Sequence, residues 1–569
     1  MGLNLSRCKR LKSKLDGYPE SDKLLVSCGL PYVNGPMHIA HLRTYFPADI
    51  YVRYQRKLGR DVVFVCGSDT HGTPITVKAE EIGTKPERIV EQYHNHFKQI
   101  FPSLGVFFDN YGSTDDPLNH HRTRDIAMKL LENGHIYPKD VTLPYCPSCE
   151  RYLPDRYLEG NCPHCGAEAR GDECDQGCGR YLEPGEIINS RCTICGTTAE
   201  YKETRQYFLK LTDFEDYLRG FLETLGGTEN ARNYAKGWLE GGLKDWNITR
   251  NLKWGIPFPG AKDLVLYVWF DAPIGYISST EEWAERTGGD WEHYWKGDGR
   301  LIHFIGGDIV YHHCLFWPSM LKGAGYSVPD AVVASGMVRI AGHNFSKSRG
   351  YVLWVEDDYL GEGLDPDSLR YYIASYTGHT RDLDFSWETY SEKLNKELVG
   401  IIGNFVYRSI LFAYRNYGKI PKGYLEPELE RAVQKAKEDI TKYVQNYEFK
   451  KICDTILGLA ITGNRYLQEN EPWNLKNTDP DEAKDVIHNA VWLSKAIAML
   501  GEPIFPFHAY SVYRQLGLDY NGHSLDSATD GLKIGFKLEE PRPLFTPLSE
   551  DDLSNLKELL SRRIKNASG

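Results

Sequence analysis

The sequence predicts an α/β protein whose parallel sheet is split by an insertion and followed by an α-helical bundle. Near the N-terminus, the apolar run "LLVSC" precedes a helical pattern from Met37 to Leu58, and a second apolar run, "DVVFVCG", follows Gly59. A strand, a helix and a strand in this order form a βαβ unit, which implies parallel strands with a ligand crevice at their carboxyl ends. Strand-like runs return at "DLVLYVWFD", "RLIHFIGGD" and "DAVVASG", so we expect the sheet to resume later in the chain.

The interruption, from about residue 115 to 245, is rich in cysteine, glycine, proline and tyrosine. This composition predicts a loop-heavy module rather than regular sheet. From about Ser386 the strand signals fade and apolar residues recur at helical spacing, namely Leu398, Ile401, Ile402, Phe405 and Phe412. The last third of the chain is therefore predicted to be a helical bundle.

Composition limits the classes of function. The chain has 569 residues, of which 41% are hydrophobic and 25% charged, as in ordinary globular proteins of several domains. No apolar run approaches the roughly 18 residues of a membrane span and the N-terminus has no signal-peptide pattern, so we expect a cytoplasmic protein without membrane contact. The net charge of −11 argues against indiscriminate nucleic-acid binding through a positively charged surface.

Eight of the 13 cysteines fall in four close pairs: Cys146 and Cys149, Cys162 and Cys165, Cys174 and Cys178, Cys192 and Cys195. In a cytosolic protein such clustering indicates metal binding rather than disulfides. Eight thiolates make two tetrahedral Zn²⁺ sites, and closed sites of four cysteines are structural rather than catalytic. The spacing alone leaves the pairing of these half-sites open.

Two histidines lie at the predicted junction of the first strand and helix. His38 and His41, in "PMHIAH", are three residues apart and share a helical face in the first turns. The unpaired N–H groups and positive dipole end of a helix N-terminus, together with two imidazoles, suit a phosphate. Alternatively, the two histidines are ordinary core or surface residues whose hydrogen bonds are satisfied. Zinc ligation is a second alternative, but the sequence places no further ligand nearby.

A second cationic segment, "GMVRIAGHNFSKSRGYVL", lies about 300 residues further on. It is glycine-rich and carries Lys347 beside hydroxyl groups, a combination that suits a polyphosphate. Alone, this segment is equally compatible with a solvated turn.

Taken together, these residues resemble those of class I aminoacyl-tRNA synthetases, since "HIAH" is similar to the HIGH motif and "NFSKS" to the KMSKS motif. Within that class, "CGLPYVNGPMHIAH", "CGSDTHGTP", "YVWFDAPIGY", "HFIGGDIVYHHCLFWP" and the cysteine-rich insertion resemble the methionyl-tRNA synthetase family. The resemblance spans nearly the whole chain. It implies a ligase that makes methionyl-adenylate from methionine and ATP and then transfers methionine to the 3′-terminal adenosine of tRNA(Met).

The resemblance also implies domain boundaries. We expect the first half of a Rossmann-type catalytic domain in residues 1–115, a connective insertion with zinc knuckles in 116–245 and the second Rossmann half in 246–330. A linking region with the KMSKS-like loop would occupy residues 331–385, and an α-helical anticodon-binding domain residues 386–569.

Roles for individual residues follow from the same resemblance. His38, His41 and Lys347 would contact the ATP phosphates with Mg²⁺ as the accompanying ion, and Gly306 and Asp308 would meet the ribose. Asp69 would hold the methionine ammonium. The side-chain pocket would be lined by Leu30, Tyr32, Trp269, Ala272, Pro273, Tyr276, Ile309, His313 and Phe316.

In the helical region, Asn404, Arg408 and Trp473 match the family's anticodon readers, and an indole can stack on an unstacked base.

For the cysteines the family suggests a nested scheme, in which the two inner pairs form one site and the two outer pairs the other. The second inner pair, "CDQGC", departs from the usual CxxC spacing.

Other departures bear on function. Asn344 stands where the KMSKS motif has its first lysine, Ala40 replaces the glycine of HIGH, and Gly400 stands where relatives can carry a further anticodon contact. Because the chain leaves no room for the appended tRNA-binding or dimerisation domain of some relatives, we expect a monomer or a partner supplied in trans. The alternatives are a class I synthetase for another apolar amino acid, or a catalytically inactive tRNA-binding or scaffolding paralogue.

Overall fold

A computed structural model describes residues 23–568, except 172–173, 175–176, 179, 181, 183–184, 348 and 520–523. The first 22 residues of the first predicted domain thus lie outside the described part. Among the described residues, no helix is both long enough and apolar enough to cross a bilayer.

The first part of the chain contains a six-stranded sheet whose paired strands all run parallel. In spatial order the strands are Gly226–Gly227, Ala331–Ala334, Arg300–Ile305, Leu24–Cys28, Val62–Ser68 and Asn110–Ser113. Leu24 pairs with both Val62 and Arg300, so a strand from each half of the sequence flanks the first strand. The chain reverses its direction of winding there, and open α/β sheets place their ligand crevice at such a point. The predicted α/β class and the split parallel sheet are confirmed.

Helices cover both faces of this sheet, which explains why its central strands read as continuous apolar runs. In the first half these are Ile39–Lys57, Thr73–Glu81, Pro86–Ser103 and Pro117–Glu132. In the second half they are Val268–Asp271, Gly275–Thr287, Glu292–Trp295, a π-helical turn at His312–Phe316 and Trp317–Ala324. The first helix ends close to the predicted position, before Gly59, whose φ of +79° favours glycine.

The interruption is more regular than its composition predicts. Strands Ile136–Cys146 and Glu200–Leu209 pair antiparallel over most of their length, and helices Glu215–Thr224 and Glu229–Glu240 follow. Much of each strand is solvent-exposed, so charged residues stand between the apolar ones. The alternation that indicates a strand is therefore difficult to recognise in the sequence. Only the cysteine-rich tip is loop-heavy, around a small sheet of strands Leu158–Asn161, Glu168–Arg170 and Ile188–Cys192.

One predicted strand is wrong. Within "DLVLYVWFD", only Val265–Leu266 is extended, and it pairs antiparallel with Thr249–Arg250 outside the parallel sheet. The chain then turns into the short helix Val268–Asp271. A short apolar run does not separate a buried strand from a buried helix, because both bury the same side chains.

After the last strand of the parallel sheet, a three-stranded sheet precedes the helical region in sequence. Strand Val338–Ile340 pairs with His343–Asn344 and with Leu383–Phe385. A π-helical turn at Glu356–Leu360 and the helix Pro366–Ser375 lie between them in sequence. The predicted helical region follows, with helices Trp387–Lys393, Leu394–Gly403 (π-helical), Asn404–Tyr417, Pro427–Gln445, Phe449–Asn470, Pro472–Thr478, Pro480–Gly501, Pro506–Leu516 and Glu550–Ser568.

Candidate active site

The two histidines sit at the start of the helix Ile39–Lys57, which follows the central strand of the sheet. His38 occupies the N-cap position, with extended backbone angles, and its backbone N–H donates to His41 Nδ1 at 3.2 Å. The two imidazole rings stack with their centroids 3.6 Å apart. Because His41 Nδ1 is an acceptor, the neutral ring carries its proton on Nε2.

Both imidazoles are held in the neutral form. Burial lowers the pKa of His38 well below its ordinary value, and the neighbouring His41 and Lys347 add to the shift. Burial and Lys347 likewise lower the pKa of His41. At pH 7 this pair therefore offers N–H dipoles rather than fixed charges to a ligand.

A distant segment runs antiparallel beside the histidines. The backbone N–H of Ile39 donates to Leu353 O at 3.0 Å, and that of Val355 donates to Met37 O at 2.9 Å. We call residues 353–355 the strap. Through it, segments about 300 residues apart in sequence meet at one end of the sheet.

The loop before the strap lies over the histidines. The Phe345 ring centroid lies 4.4 Å from that of His38, and Lys347 Nζ donates to Asn34 Oδ1 at 3.3 Å. Burial, followed by the nearby Lys78 amine, lowers the pKa of Lys347 to about 8. Lys78 Nζ donates to Asn34 O at 2.7 Å, so two amines flank this backbone turn. The arrangement concentrates cationic and N–H donors where a polyanion would bind.

A cavity of about 410 Å³ opens beside these residues. Thirteen of the residues predicted for ATP or methionine line it: Leu30, Tyr32, His38, His41, Asp69, Trp269, Ala272, Pro273, Tyr276, Gly306, Asp308, Ile309 and His313. The lining also includes residues that were not predicted from the sequence, among them His312, Ser335, Gly336, Met337, Val338 and Phe345. Their closeness in sequence to the predicted residues was the only available signal. Lys347 is not part of the lining and lies at the edge beside His38.

Phe316 also lies outside the cavity. It is fully buried and packs against Trp246. The π-helical turn His312–Phe316 has a wider repeat than an α-helix, which changes the direction in which successive side chains point. Within the same turn, the ring of the unpredicted His312 stacks on Trp269, with centroids 4.0 Å apart. We therefore leave Phe316 out of the pocket.

Asp69 lies at the carboxyl end of strand Val62–Ser68 and is buried. Its backbone is fixed by hydrogen bonds to Pro31 and Val33, but its Oδ1 accepts no hydrogen bond from the described residues. Burial, with a smaller contribution from Asp271, raises the pKa of the Asp69 carboxyl well above its ordinary value. A cationic ligand would supply the partner that this oxygen lacks.

Two groups behind Asp69 form a buried ion pair. His71 Nδ1 lies 2.5 Å from Asp271 Oδ2, and both side chains are almost completely buried. Burial alone would lower the pKa of His71, but Asp271 and then Asp115 raise it to about 9. His71 is thus charged at pH 7 and compensates Asp271.

The apolar end of the cavity holds one fixed polar pair. His313 Nδ1 lies 3.0 Å from Ile309 O, so this nitrogen carries the proton, and His313 Nε2 accepts from the Tyr276 hydroxyl at 2.8 Å. Burial lowers the pKa of His313 to about 4. The pair is therefore neutral and satisfied, which suits an apolar ligand with a weak acceptor.

The eight cysteines form two groups, each with its four Sγ atoms within 4.8 Å of one another. One consists of Cys146, Cys149, Cys192 and Cys195, and the other of Cys162, Cys165, Cys174 and Cys178. This is the nested grouping that the family resemblance implied.

The spacing of the sulfur atoms fits a metal. In the outer group Cys146 and Cys195 have their sulfurs 3.4 Å apart, and in the inner group Cys162 and Cys178 have theirs 3.8 Å apart. Tetrahedral Zn²⁺ with bonds of about 2.3 Å sets its sulfurs about 3.8 Å apart. A Cβ on Gly177 would lie 2.6 Å from Cys165 Sγ, so glycine at this position accommodates the extra residue of "CDQGC". Both groups are able to bind zinc.

Three further predicted residues lie together on the helical bundle. Asn404 and Arg408 are one turn apart on the same helix, and the Arg408 guanidinium lies 5.7 Å from the Trp473 ring centroid. Asn404 Nδ2 donates to Asn464 Oδ1 at 3.3 Å. All three predicted side chains are partly exposed. They form one polar and aromatic patch of the kind that binds unstacked bases.

Comparison with known proteins gives consistent matches. A family model described as "tRNA synthetases class I (M)" matches residues 24–410, and one described as "Anticodon binding domain of methionyl tRNA ligase" matches residues 420–563. A methionine–tRNA ligase of Methanosarcina mazei is 55% identical over 551 residues, covering 96% of this chain and 77% of the relative. The corresponding ligase of Archaeoglobus fulgidus is 51% identical over 542 residues, covering 95% and 82%.

Solved structures agree with the fold. The methionyl-tRNA synthetase of Mycobacterium tuberculosis bound by methionyl-adenylate aligns with a TM-score of 0.77 and 23% identity. The alignment covers 92% of this chain and 100% of that chain. The free form of the same mycobacterial protein aligns with a TM-score of 0.71 and 22% identity.

Proposed function

The chain belongs to the class I methionyl-tRNA synthetase family, and we propose that its adenylation site is the cavity between the two histidines, Asp69 and the Lys347 loop. The enzyme is a ligase that activates methionine with ATP and transfers it to tRNA(Met). The observation that carries the proposed site is the convergence of Lys347 on His38 and His41 across about 300 residues of sequence. A polyphosphate is the ligand that this set of donors fits.

In the proposed reaction, the methionine carboxylate attacks the α-phosphorus of ATP and pyrophosphate leaves. Negative charge grows on the phosphoryl oxygens and on the leaving group. The neutral His38 and His41 offer preoriented N–H donors at a helix N-terminus, and Lys347 offers an ammonium from the opposite side. Such donors lower the barrier because they meet charge that develops in the transition state. No enzyme nucleophile is needed.

Mg²⁺ enters this scheme with ATP rather than on a protein site. The carboxylates among the described cavity-lining residues are Asp69 and Asp308. We assign Asp69 to the methionine ammonium and Asp308, with Gly306, to the ribose. When bound, Mg²⁺ would neutralise phosphate charge. Methionine-dependent pyrophosphate exchange, described below, also tests the role of Asn344, which replaces a cation of the KMSKS motif.

Methionine specificity rests mainly on the shape of the pocket. The ammonium would pair with Asp69, and the thioether would lie near Tyr32 and His313, with Leu30, Trp269, Ala272, Pro273, Tyr276 and Ile309 around it. Sulfur–aromatic contacts contribute only about 0.3 to 1.5 kcal/mol, so an unbranched cavity must exclude valine and isoleucine sterically. The two relatives compared above are both named methionine–tRNA ligase, and neither name favours another amino acid.

Zinc would stabilise the insertion, held in closed sites by the two groups of four cysteines. The insertion docks on the helix Thr73–Glu81 near the cavity: Arg151 forms two hydrogen bonds with Glu80, at 2.9 and 3.1 Å, and Tyr157 adds a third at 3.0 Å.

Asn404, Arg408 and Trp473 would read the anticodon. A cytoplasmic location and a monomeric state stay predictions, the latter to be tested by sedimentation.

Methionine-dependent exchange of pyrophosphate into ATP tests the proposed function. We expect exchange with methionine and none with leucine or valine at matched concentrations. Exchange driven by another amino acid would contradict the specificity. No exchange, together with intact binding of tRNA(Met), would instead support a catalytically inactive paralogue.

A further inference from the structure

The strap and the loop before it are supported from outside the catalytic half by the helix Glu550–Ser568, which we call the terminal helix. Leu556 of this helix is buried, and Leu553 and Leu560 pack against the same hydrophobic core. Apolar contacts therefore dock the terminal helix, and the ion pair of Lys557 with Glu388 adds to them. The helix carries further charged residues besides Lys557.

One of these residues reaches the segment next to the strap. The Arg563 guanidinium forms an ion pair with Asp358 Oδ1, and both side chains are largely shielded, with 31% and 13% exposure. The other carboxylate oxygen of Asp358 accepts a hydrogen bond of 2.7 Å from the backbone N–H of Trp354. A single carboxylate thus joins the terminal helix to the middle of the strap.

Trp354, the middle residue of the strap, also contacts His38 of the proposed phosphate site. Trp354 is bridged to His38 through the antiparallel backbone contact, and their rings lie 5.9 Å apart. Lys347 Nζ lies 5.9 Å from the centroid of the same indole. Displacement of Trp354 would therefore move both His38 and Lys347, which belong to the proposed phosphate site.

The terminal helix also contacts the loop that lies before the strap. Gly350 has a φ of +74°, and a Cβ there would lie 2.7 Å from Arg563 O and 2.8 Å from Ile564 Cα. Gly350 N–H donates to Lys347 O at 3.3 Å. The loop that carries Lys347 thus passes close to the helix backbone at Arg563, so the same turn of the terminal helix contacts the chain before the strap, at Gly350, and after it, at Asp358.

We propose that Arg563 is a positioning residue for adenylate formation, which acts through Asp358 and Trp354 to hold the strap and the Lys347 loop over the ATP site. This inference rests on the proposed function, because it assigns Arg563 to the phosphate end of that site. A cation held about 1 Å out of place loses much of its effect on a transition state, so a residue that never touches substrate can alter the rate. Methionine binding, at the opposite end of the cavity, does not depend on the strap.

The test compares substitutions on the same helix in the full chain. Arg563→Ala removes the ion pair and Arg563→Lys retains a cation. Arg562→Ala removes an equal charge from a residue that pairs only with Glu558 of the same helix in the described contacts. Lys557→Ala breaks an ion pair that joins the helix to Glu388, away from the strap. Thermal unfolding of each variant reports whether the terminal helix stays docked.

In methionine-dependent pyrophosphate exchange, we expect Arg563→Ala to raise the KM for ATP or lower kcat by about tenfold, with the KM for methionine within about twofold. Arg563→Lys should recover part of the loss, and Arg562→Ala and Lys557→Ala should match the wild type. Asp358→Asn, which keeps an acceptor for Trp354, should resemble Arg563→Ala, and the double variant should be no worse than either because both changes break one link.

The inference would be overturned by equal kinetics for Arg563→Ala and Arg562→Ala, or by parallel changes in the KM values for ATP and methionine. An equal defect in Lys557→Ala would also do so, since it would indicate general docking of the helix. These failures are distinct from failure of the proposed function, which would show as absence of methionine-dependent exchange in the wild-type chain.

Discussion

Lys347 Nζ donates a hydrogen bond of 3.3 Å to Asn34 Oδ1, although the two residues are 313 positions apart in the chain. This contact joins the loop before the strap to the turn before His38. It places an ammonium above two neutral imidazoles, which is the arrangement from which the proposed phosphate site derives.

Replacement of Lys347 by alanine should reduce the kcat of pyrophosphate exchange by about 10²- to 10³-fold, because one preoriented donor to the transition state is lost. Binding of tRNA(Met), measured by filter retention, should be unchanged. The control is Lys396→Ala, an exposed lysine paired with Glu392 on the helical bundle. Unaltered exchange in Lys347→Ala would remove this residue from the mechanism.

The pH dependence of the reaction should show the lowered pKa of Lys347, which is about 8. The amine loses its proton as pH rises through this value, so kcat/KM for ATP should fall on the alkaline side, since this parameter reports groups of the free enzyme. In Lys347→Arg the guanidinium stays charged, and the alkaline limb should disappear from the profile between about pH 7 and 9.5. An identical limb in that variant would assign the titration to another group.

Asp69→Asn should weaken methionine binding without loss of stability. The substitution keeps the shape of the side chain but removes a carboxyl whose pKa burial raises well above its ordinary value. The KM for methionine should rise by about 10²-fold, as expected when a buried charge loses its partner. The melting temperature should stay equal or increase, because the folded protein no longer holds a buried charge that disfavours it. An unchanged KM for methionine would argue for a different ammonium partner.

Metal analysis should find two zinc ions per chain. Cys149→Ser and Cys165→Ser each remove one ligand from a different group of four, so each variant should retain about one ion. The control is His164→Ala, since this residue stands within "CPHC" but belongs to neither group. Full zinc content in both serine variants, measured by mass spectrometry of the dialysed protein, would contradict the assignment.

Trp473→Ala should impair recognition of tRNA and leave adenylation intact. Stacking of one base on an aromatic ring is worth about 1 to 3 kcal/mol, so the KM for tRNA(Met) should rise by about 5- to 150-fold. Pyrophosphate exchange without tRNA should match the wild type because Trp473 lies on the helical bundle. Tyr424→Ala, at an aromatic residue with 67% exposure, provides the matched surface control. Equal charging kinetics in the two variants would exclude Trp473 as an anticodon contact.

Much of the site was predictable from the chain because its chemistry is local. His38 and His41 are three residues apart at a strand-to-helix junction, and the four cysteine pairs have the spacing of zinc half-sites. The order of strand, helix and strand near the N-terminus predicted a parallel sheet, since parallel strands need a crossover connection between them. These patterns, with the family motifs, were sufficient for the α/β class and for the enzyme family.

Other features depended on contacts that no local pattern encodes. Phe316 packs into the core because a π-helical turn changes the direction of its side chain, and "DLVLYVWFD" forms a helix because burial alone does not choose between helix and strand. Arg563 and Asp358 are 205 residues apart, and their pairing follows only from the docking of the terminal helix. The sequence by itself determined which chemical groups the protein possesses and the class of its fold. Tertiary packing decided which of those groups meet, because distances between remote segments are set by the sum of many core contacts.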